Sequence, residues 1–147
     1  MKNGDPVDAV IITIGTEILM GELIDTNSAY LGDQLPRIGI RLKKLVSVGD
    51  NLREIRETLE SELIAADIVL TTGGMGPTSD DLTREAIAEF CGEKLSIDVD
   101  QLSILKRTFK ARSQFMPDTN LKQASLIPSA SAIPNPNGTA PGWFVEN

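Results

Sequence analysis

The chain has 147 residues, of which 41% are hydrophobic and 24% are charged, and this composition is typical of one soluble domain of ordinary size. Its formal net charge of −7 argues against a general nucleic-acid binder, because such proteins usually carry a basic face. No apolar run approaches the roughly 20 residues that a membrane span needs, and the amino terminus does not resemble a secretory signal. We therefore expect a cytoplasmic protein with neither a membrane nor a nucleic-acid partner.

The sequence contains no histidine, and this restricts its chemistry. Catalysis by Ser-His-Asp or Cys-His groups and zinc sites with histidine ligands are excluded. The single cysteine, Cys91, cannot form an intramolecular disulfide, and its place beside Phe90 at the end of a predicted helix indicates burial. Any acid–base or metal chemistry must rest on carboxylates, hydroxyls, lysine or backbone groups.

Strand and helix patterns alternate along the first half of the chain. Residues 7–14 are a nearly continuous β-branched run, which predicts a strand covered on both faces. Capping residues at 25–27 and apolar residues at three- and four-residue steps predict a helix that Gly39 closes. Residues 40–48 predict a second strand nearer a sheet edge, and the helix that follows has an apolar face within residues 52–63.

The second half begins with a third predicted strand, residues 67–72, which runs directly into a glycine-rich turn. A helix is predicted from about Leu82 or Thr83 to a stop at Gly92, and another over residues 99–112. Five prolines lie beyond residue 116 and allow only short strands and turns there.

This alternation predicts an α/β fold with right-handed crossovers, a mainly parallel sheet and helices on both faces. Ligands of such sheets bind beyond the carboxyl ends of the strands. Three loops are expected at that edge, namely residues 15–17, residues 48–51 and the long turn after Thr72. All three carry carboxylates, so a site forms there if the loops converge.

The turn Gly73-Gly74-Met75-Gly76 is the first candidate for ligand binding. Glycines reach positive φ and let a ligand approach main-chain N–H groups, and the amino terminus of the next helix favours an anion. The turn has neither the Gly-Lys-Ser/Thr ending of a P-loop nor the G-x-G-x-x-G dinucleotide pattern. Taken alone, it fits a tight structural turn as well as a phosphate cradle.

Asp80 and Asp81 follow this turn directly. Two carboxylates beside an anion cradle would repel a bare phosphate, whereas a bridging divalent cation would join them to phosphate oxygens. The alternative is that both residues, with Ser79 and Thr83, only cap the next helix. Capping needs one of them, so we expect a functional role for at least one.

Other polar positions stay ambiguous on spacing alone. Asp50 is an N-cap candidate within the turn Gly49-Asp50-Asn51, and Glu17 is an acidic residue at the carboxyl end of a strand. Residues 25–27 are all good helix caps.

Together these segments resemble the molybdopterin-binding domain family, known from the molybdenum-cofactor proteins MoaB, MogA and MoeA. The resemblance is carried by Ile14-Gly15-Thr16-Glu17-Ile18-Leu19, Gly21, Asp25-Thr26-Asn27, Val48-Gly49-Asp50 and residues 67–81. Residues 71–83, with the later segments 115–117, 120–124 and 135–142, are more similar to the amino-terminal domain of the CinA (competence-damage-inducible) proteins.

The resemblance implies a three-layer α/β sandwich with a site for a phosphorylated nucleotide or pterin. In molybdopterin adenylyl transfer, the acids implicated by the resemblance correspond to Asp50 and Asp81. In CinA-like domains, the implied activity is hydrolysis of ADP-ribose to AMP and ribose 5-phosphate with Mg²⁺, Mn²⁺ or Co²⁺.

On this hypothesis Asp50, Asp81 and Glu17 carry the chemistry, and Asp80 and Asp81 hold the metal. Glu17 would orient the attacking water or bind the ribose hydroxyls. The expected ligand-binding residues lie in the strand-end loops and the glycine turn: Gly15, Thr16, Asn27, Thr72, Gly73, Gly74, Met75, Gly76, Pro77 and Ser79.

Two alternatives stay open: nucleotidyl transfer to molybdopterin on the same site, and a ligand-binding or assembly domain without catalysis. The family domain continues beyond the segment 138–142 into another strand and a Leu-Pro-Gly loop. We therefore expect one domain over residues 1–147, truncated at its carboxyl end. The resemblance also implies a dimer or trimer, and a separate carboxyl-terminal deamidase domain in CinA proteins whose activity does not carry over.

Overall fold

The fold was analysed in a computed structural model, which describes residues 6–146. The chain divides into two compact units, Met1–Gly74 and Met75–Asn147, so the boundary falls inside the predicted glycine turn. A single domain over residues 1–147 stays a prediction, and residues 1–5 and residue 147 lie outside the described residues. No helix within the described part is both long and apolar enough to cross a membrane.

The first unit, as far as the structure describes it, alternates strands and helices. Its elements are β1 (Val7–Ile14), α1 (Thr16–Leu19), α2 (Thr26–Arg37), β2 (Ile40–Val48), α3 (Leu52–Ala65) and β3 (Ile68–Thr72). The three predicted strands and the two longer helices are confirmed. The short helix α1 was not predicted, because four residues are too few to show a helical period.

The three strands form a parallel sheet in the order β2-β1-β3, with Val7 opposite Ile40 and Ala9 opposite Ile68. The central strand β1 is apolar throughout because both of its faces are covered: Ile11 and Ile12 are fully buried. Strand β2 lies at the edge, as predicted, and exposes polar side chains there.

Two helices cover this sheet. Leu35 of α2 packs against Ala9 and Ile11 of β1, and α3 contacts β1 and β3 while burying Ile55 and Leu59. Complete burial of one such side chain contributes about 1.5–3 kcal/mol. The connection β1-α2-β2 leads from the central strand to one edge of the sheet, and β2-α3-β3 leads from that edge back across to the other. Because both connections are right-handed but run in opposite directions, α2 and α3 lie on opposite faces of the sheet. The predicted α/β class is thereby confirmed.

A buried polar cluster fixes the start of α2 to the end of β1. The Thr13 hydroxyl donates to Asp25 Oδ2 at 2.6 Å and lies 2.7 Å from Ser28 Oγ, and the Ser28 N–H donates to Asp25 Oδ1 at 2.9 Å. Burial raises the pKa of Asp25, but the hydrogen bonds from Ser28 and Thr13 outweigh it, so this pKa is lower than the ordinary value. Asp25 is thus an ionised N-cap of α2.

The second unit combines two longer helices with short strands. Its described elements are α4 (Thr83–Cys91), β4 (Ser96–Ile97), α5 (Val99–Ala111), a 3₁₀ helix (Asp118–Ala124), β5 (Ser125–Leu126), β6 (Ala130–Ile133) and β7 (Gly142–Val145). Strands β4 and β5 pair antiparallel, as do β6 and β7. The two predicted helices are confirmed, whereas β4 and the 3₁₀ helix were not predicted.

Capping residues set the end of α4 and the start of α5 where the sequence predicts these helix ends. Gly92 takes a left-handed conformation with φ 66° and closes α4, as predicted. The Asp98 side chain accepts from the Gln101 N–H at 2.8 Å and caps α5. Cys91 is only half-buried, and burial together with the charge of Glu93 raises the pKa of its thiol above the ordinary value.

Candidate functional site

The loops that follow β1 and β2 are joined by Thr16 and Asp50. Asp50 Oδ2 accepts hydrogen bonds from the Thr16 N–H at 2.9 Å and from the Thr16 hydroxyl at 2.8 Å. The Asp50 N–H donates back to Thr16 Oγ1 at 3.1 Å, and the Gly15 N–H donates to the Val48 carbonyl at 3.0 Å. Two of the loops that were expected to converge therefore do so, and Asp50 lies at their junction.

Asp50 does not cap α3. The N-cap is Asn51, which has an extended backbone and whose Oδ1 accepts from the Glu54 N–H at 3.1 Å. The N-cap interpretation of Asp50 is wrong, because its carboxylate turns toward the loop after β1 instead. Its second oxygen, Oδ1, has no hydrogen-bond partner among residues 6–146 and can accept from a ligand or a water.

The end of β3 is joined to the start of α2. Asn27 Nδ2 donates to Thr72 Oγ1 at 2.9 Å, so these two predicted ligand-binding residues are in contact. Gly73 follows with φ 97°, and a Cβ there would overlap the carbonyl oxygen of Ile14. Only glycine fits at this position, since the exit of β3 passes directly against the end of β1.

Glu17 lies on the exposed surface of α1. Its Oε1 is 3.0 Å from where a Cβ would stand on Gly15, so the carboxylate folds back over the end of β1. Its main-chain carbonyl accepts from the N–H groups of Glu22 and Leu23, but its carboxylate has no hydrogen bond or ion pair with another described residue. Glu17 is therefore an open carboxylate at the strand end where the sequence places it, and its role stays a prediction.

Residues 75–81, which we call the acidic loop, begin the second unit, and Asp81 organises their N–H groups. Asp81 Oδ1 accepts from the Gly76 N–H at 2.7 Å. Asp81 Oδ2 accepts from the Thr78 N–H at 2.8 Å and from the Thr78 hydroxyl at 2.5 Å. A Cβ on Gly76 would collide with the same carboxylate. The Gly76 N–H, expected to face a phosphate, thus faces a carboxylate of its own loop.

The acids of the loop do not cap α4. The N-cap is Leu82, and no side chain accepts a hydrogen bond there. The capping interpretation of Asp80 and Asp81 is wrong, because Asp81 bonds to residues that precede it in the chain. Asp80 and Ser79 are exposed and have no hydrogen bond or ion pair with another described residue.

Arg84 holds the carbonyl groups of the acidic loop from inside the second unit. It is only 1% exposed, and its Nη1 donates to the Met75 carbonyl at 2.6 Å while its Nη2 donates to the Gly76 carbonyl. Its Nε is buried without an acceptor in the described part of the chain. Burial lowers the pKa of the guanidinium, and the charges of Glu85 and Asp81 oppose that effect.

Lys122 holds the same loop from the 3₁₀ helix. Its Nζ donates to the carbonyls of Thr78 at 2.9 Å and Asp81 at 2.7 Å and lies 3.2 Å from Glu85 Oε1. Burial raises the pKa of Asp81, but the hydrogen bonds from Thr78 and Gly76 and the charge of Lys122 outweigh it. The pKa of Asp81 is consequently lower than its ordinary value, and Asp81 is ionised at neutral pH.

The sequence did not single out three of these residues as site residues. No sequence pattern indicated a role for Arg84, because a single arginine in a helical pattern is usually exposed to solvent. Thr78 and Lys122 stood in segments that carried the family resemblance, but neither was assigned a role. A hydroxyl residue three positions before an aspartate, as in Thr78 and Asp81, was the available signal for a side-chain turn.

The described residues do not form a complete metal site by themselves. No group of three or more cysteine, aspartate or glutamate side chains within residues 6–146 is arranged to hold a metal ion. A divalent cation at these carboxylates would need further oxygen ligands, such as those of a bound diphosphate.

Comparison with known families matches residues 10–147 to a family described as "Probable molybdopterin binding domain". A CinA-like protein of Deinococcus radiodurans is 50% identical over 138 residues, which are 94% of this chain and 34% of that protein. A CinA-like protein of Thermomicrobium roseum is also 50% identical, over 140 residues that are 95% of this chain and 34% of that protein. The chain thus spans about a third of the length of these curated relatives.

Solved structures of CinA and MoaB proteins are also similar to this chain. The crystal structure of the CinA protein from Thermoplasma acidophilum has a TM-score of 0.87 at 38% identity and covers 94% of this chain and 81% of that chain. The tungsten cofactor synthesizing protein MoaB from Pyrococcus furiosus has a TM-score of 0.57 at 19% identity, with coverage of 90% and 76%. The second similarity concerns the fold alone.

Proposed function

The chain belongs to the molybdopterin-binding domain family, and on that premise we propose that it binds a phosphorylated nucleotide and hydrolyses the diphosphate of ADP-ribose. The observation that carries the proposal is the junction of Thr16 and Asp50. It holds a carboxylate at the carboxyl ends of two parallel strands, where ligands of α/β sheets bind, and one oxygen of this carboxylate accepts no hydrogen bond from residues 6–146. The resemblance to CinA-like domains implies ADP-ribose as the substrate.

In the proposed reaction, a water oxygen adds to one phosphorus and the bridging P–O bond breaks. The bridging oxygen leaves with the other phosphate, so the products are AMP and ribose 5-phosphate. Asp50 takes one proton of the attacking water through Oδ1, and Thr16 fixes the orientation of the carboxylate through Oδ2. Glu17, which is exposed at the same strand end, contacts the ribose hydroxyls or orients the water.

The cation in this proposal, Mg²⁺, Mn²⁺ or Co²⁺, would be held by a carboxylate of the chain together with phosphate oxygens of the substrate. Such ions commonly bind one or two carboxylates together with substrate phosphate oxygens. Asp80 is exposed and its carboxylate has no partner among the described residues, so it is free to bind a cation. The cation would neutralise the repulsion between the diphosphate and the carboxylates of the chain.

The family description favours a second candidate, binding of molybdopterin with or without nucleotidyl transfer to it. Adenylyl transfer predicts an ATP-dependent product with molybdopterin. Binding alone predicts saturable affinity for a nucleotide or pterin phosphate without any product. Because the chain spans 34% of its curated relatives, assembly into a dimer or trimer and cooperation with a further domain are also proposals.

The test is AMP release from ADP-ribose by the full chain in the presence of each of the three cations. We expect metal-dependent release that falls about 100-fold or more in Asp50→Asn, because the general base is lost. Asp100→Asn, a surface change in the first turn of α5, is the matched control and should retain the activity. The proposal is wrong if the unmodified chain releases no AMP with any cation, or if Asp50→Asn and Asp100→Asn are equally active.

A further inference from the structure

The connection between β6 and β7 contains the pair Asn137-Gly138, and its asparagine is exposed. The side-chain amide of Asn137 has no hydrogen bond with another described residue, so its carbonyl carbon is accessible. The main-chain nitrogen of the next residue can attack that carbon, and glycine hinders the approach least because it has no side chain. Asn137 is therefore followed in the chain by an internal nucleophile, the Gly138 nitrogen.

The Asn135 side chain holds the main chain around this pair. Its Oδ1 accepts hydrogen bonds from the Asn137 N–H and from the Gly138 N–H, each at 3.0 Å. Its Nδ2 donates to the Ala140 carbonyl at 2.8 Å. The hydrogen on the Gly138 nitrogen is thus bonded to an oxygen acceptor, and the nitrogen must lose this hydrogen before it can attack.

The same side chain explains why residue 138 is glycine. A Cβ on Gly138 would stand 2.7 Å from Asn135 Nδ2, so a larger residue would displace the amide of Asn135. The closed loop therefore needs the residue that favours attack on Asn137, while its hydrogen bond to Asn135 opposes that attack. Asn135 itself is not open to the same reaction, because the nitrogen of Pro136 carries no hydrogen.

We propose that Asn137 is a site of spontaneous deamidation and that the Asn135 side chain suppresses the reaction in the folded chain. The Gly138 nitrogen loses its proton and bonds to Asn137 Cγ, the Cγ–Nδ2 bond breaks, and ammonia leaves with the proton. Water then opens the succinimide ring and gives aspartate, or isoaspartate with the main chain continued through the side-chain carboxyl carbon. Asn135 suppresses the first step, because a deprotonated Gly138 nitrogen would face the lone pairs of Oδ1.

Peptide mass spectrometry follows the conversion of Asn137 in the full chain, incubated folded or in urea at mildly alkaline pH. We expect the folded chain to convert at least about fivefold more slowly, since unfolding removes one hydrogen bond of ordinary strength. In urea, the same pair at Asn3-Gly4 gives the reference rate of the dipeptide without folded structure. Equal rates at Asn137 in both states, or no conversion of Asn137 in urea, would overturn the proposal.

Asn135→Ala tests the suppressing role directly. It removes the acceptor of the Gly138 N–H, so conversion of Asn137 in the folded chain should be at least about fivefold faster, with the rate in urea unchanged. Gln114→Ala removes another exposed amide of the second unit and is the matched control, which should convert as slowly as the unmodified chain. Equal folded rates in these two variants would show that Asn135 does not suppress the reaction.

A second variant covers the case in which Asn135→Ala does not fold. Asn135→Asp keeps an oxygen acceptor for the Gly138 N–H and loses only the donor to the Ala140 carbonyl. We expect its folded form to convert Asn137 at the slow rate of the unmodified chain. A folded Asn135→Asp chain that converts as fast as the chain in urea would overturn the role of the acceptor.

Discussion

Gly73 lies directly against the carbonyl oxygen of Ile14, so the backbone that leaves β3 touches the last residue of the central strand β1. The contact leaves no room for a side chain, and the φ of 97° at Gly73 disfavours any other residue. Packing against Ile14 therefore explains why the first residue of the turn is glycine, whether or not a ligand binds there.

The first prediction follows from this contact. Gly73→Ala should lower the free energy of unfolding by about 3 kcal/mol or more, because backbone strain adds to overlap with Ile14. Gly39→Ala is the matched control, since Gly39 also has a positive φ, 79°, but nothing lies near its added Cβ. It should cost only about 1–2 kcal/mol. Urea unfolding measures both, and equal losses would contradict the packing explanation.

Arg84 gives the second prediction. Arg84→Lys keeps the charge but cannot hold two carbonyls in a planar fork, so we expect a loss of about 1–3 kcal/mol in the free energy of unfolding. Arg107→Lys on the exposed face of α5 is the control and should stay within about 0.5 kcal/mol. Equal midpoints of urea unfolding for both variants would show that the two carbonyl contacts do not stabilise the fold.

The third prediction concerns pH and Asp81. The folded pKa of Asp81 is lower than its ordinary value of 3.8, so its contribution to stability is fully present above that value and is lost as pH falls through the folded pKa. The difference in melting temperature between the unmodified chain and Asp81→Asn should therefore shrink on acidification below about pH 5. Ser103→Ala removes no carboxylate, and its difference should not change with pH. A constant difference for Asp81→Asn would refute the prediction.

The fourth prediction tests the buried polar cluster of the first unit. Thr13→Val keeps the volume of the side chain but removes the hydroxyl that bonds Asp25 and Ser28, so the free energy of unfolding should fall by about 1–3 kcal/mol. Thr119→Val on the exposed surface of the 3₁₀ helix is the control, with an expected change within about 0.5 kcal/mol. Both values come from urea unfolding, and a Thr13→Val chain as stable as the control would rule out the stabilising role of the cluster.

The sequence by itself determined the three strands and the two longer helices of the first unit, and it predicted that the strands form a parallel sheet. The β-branched run of residues 7–14 predicted a covered strand, and apolar steps with caps predicted the helices on either side of β2. Strands and helices can be predicted in this way because they depend on local sterics and on the spacing of apolar residues, and both are set by residues close together in the sequence. Elements of two to four residues, such as α1 and β4, were missed because they contain no full period.

Only the tertiary structure decided which groups the carboxylates bind. Asp50 and Thr16 are 34 residues apart, and Lys122 and Asp81 are 41 residues apart, so no local pattern joins them. Asp50 and Asn51 have nearly equal capping propensity, and the nearby Thr16 hydroxyl and N–H turn Asp50 away from the helix. The burial of Arg84 is equally a tertiary property, because its acceptors are main-chain carbonyls, which every residue has.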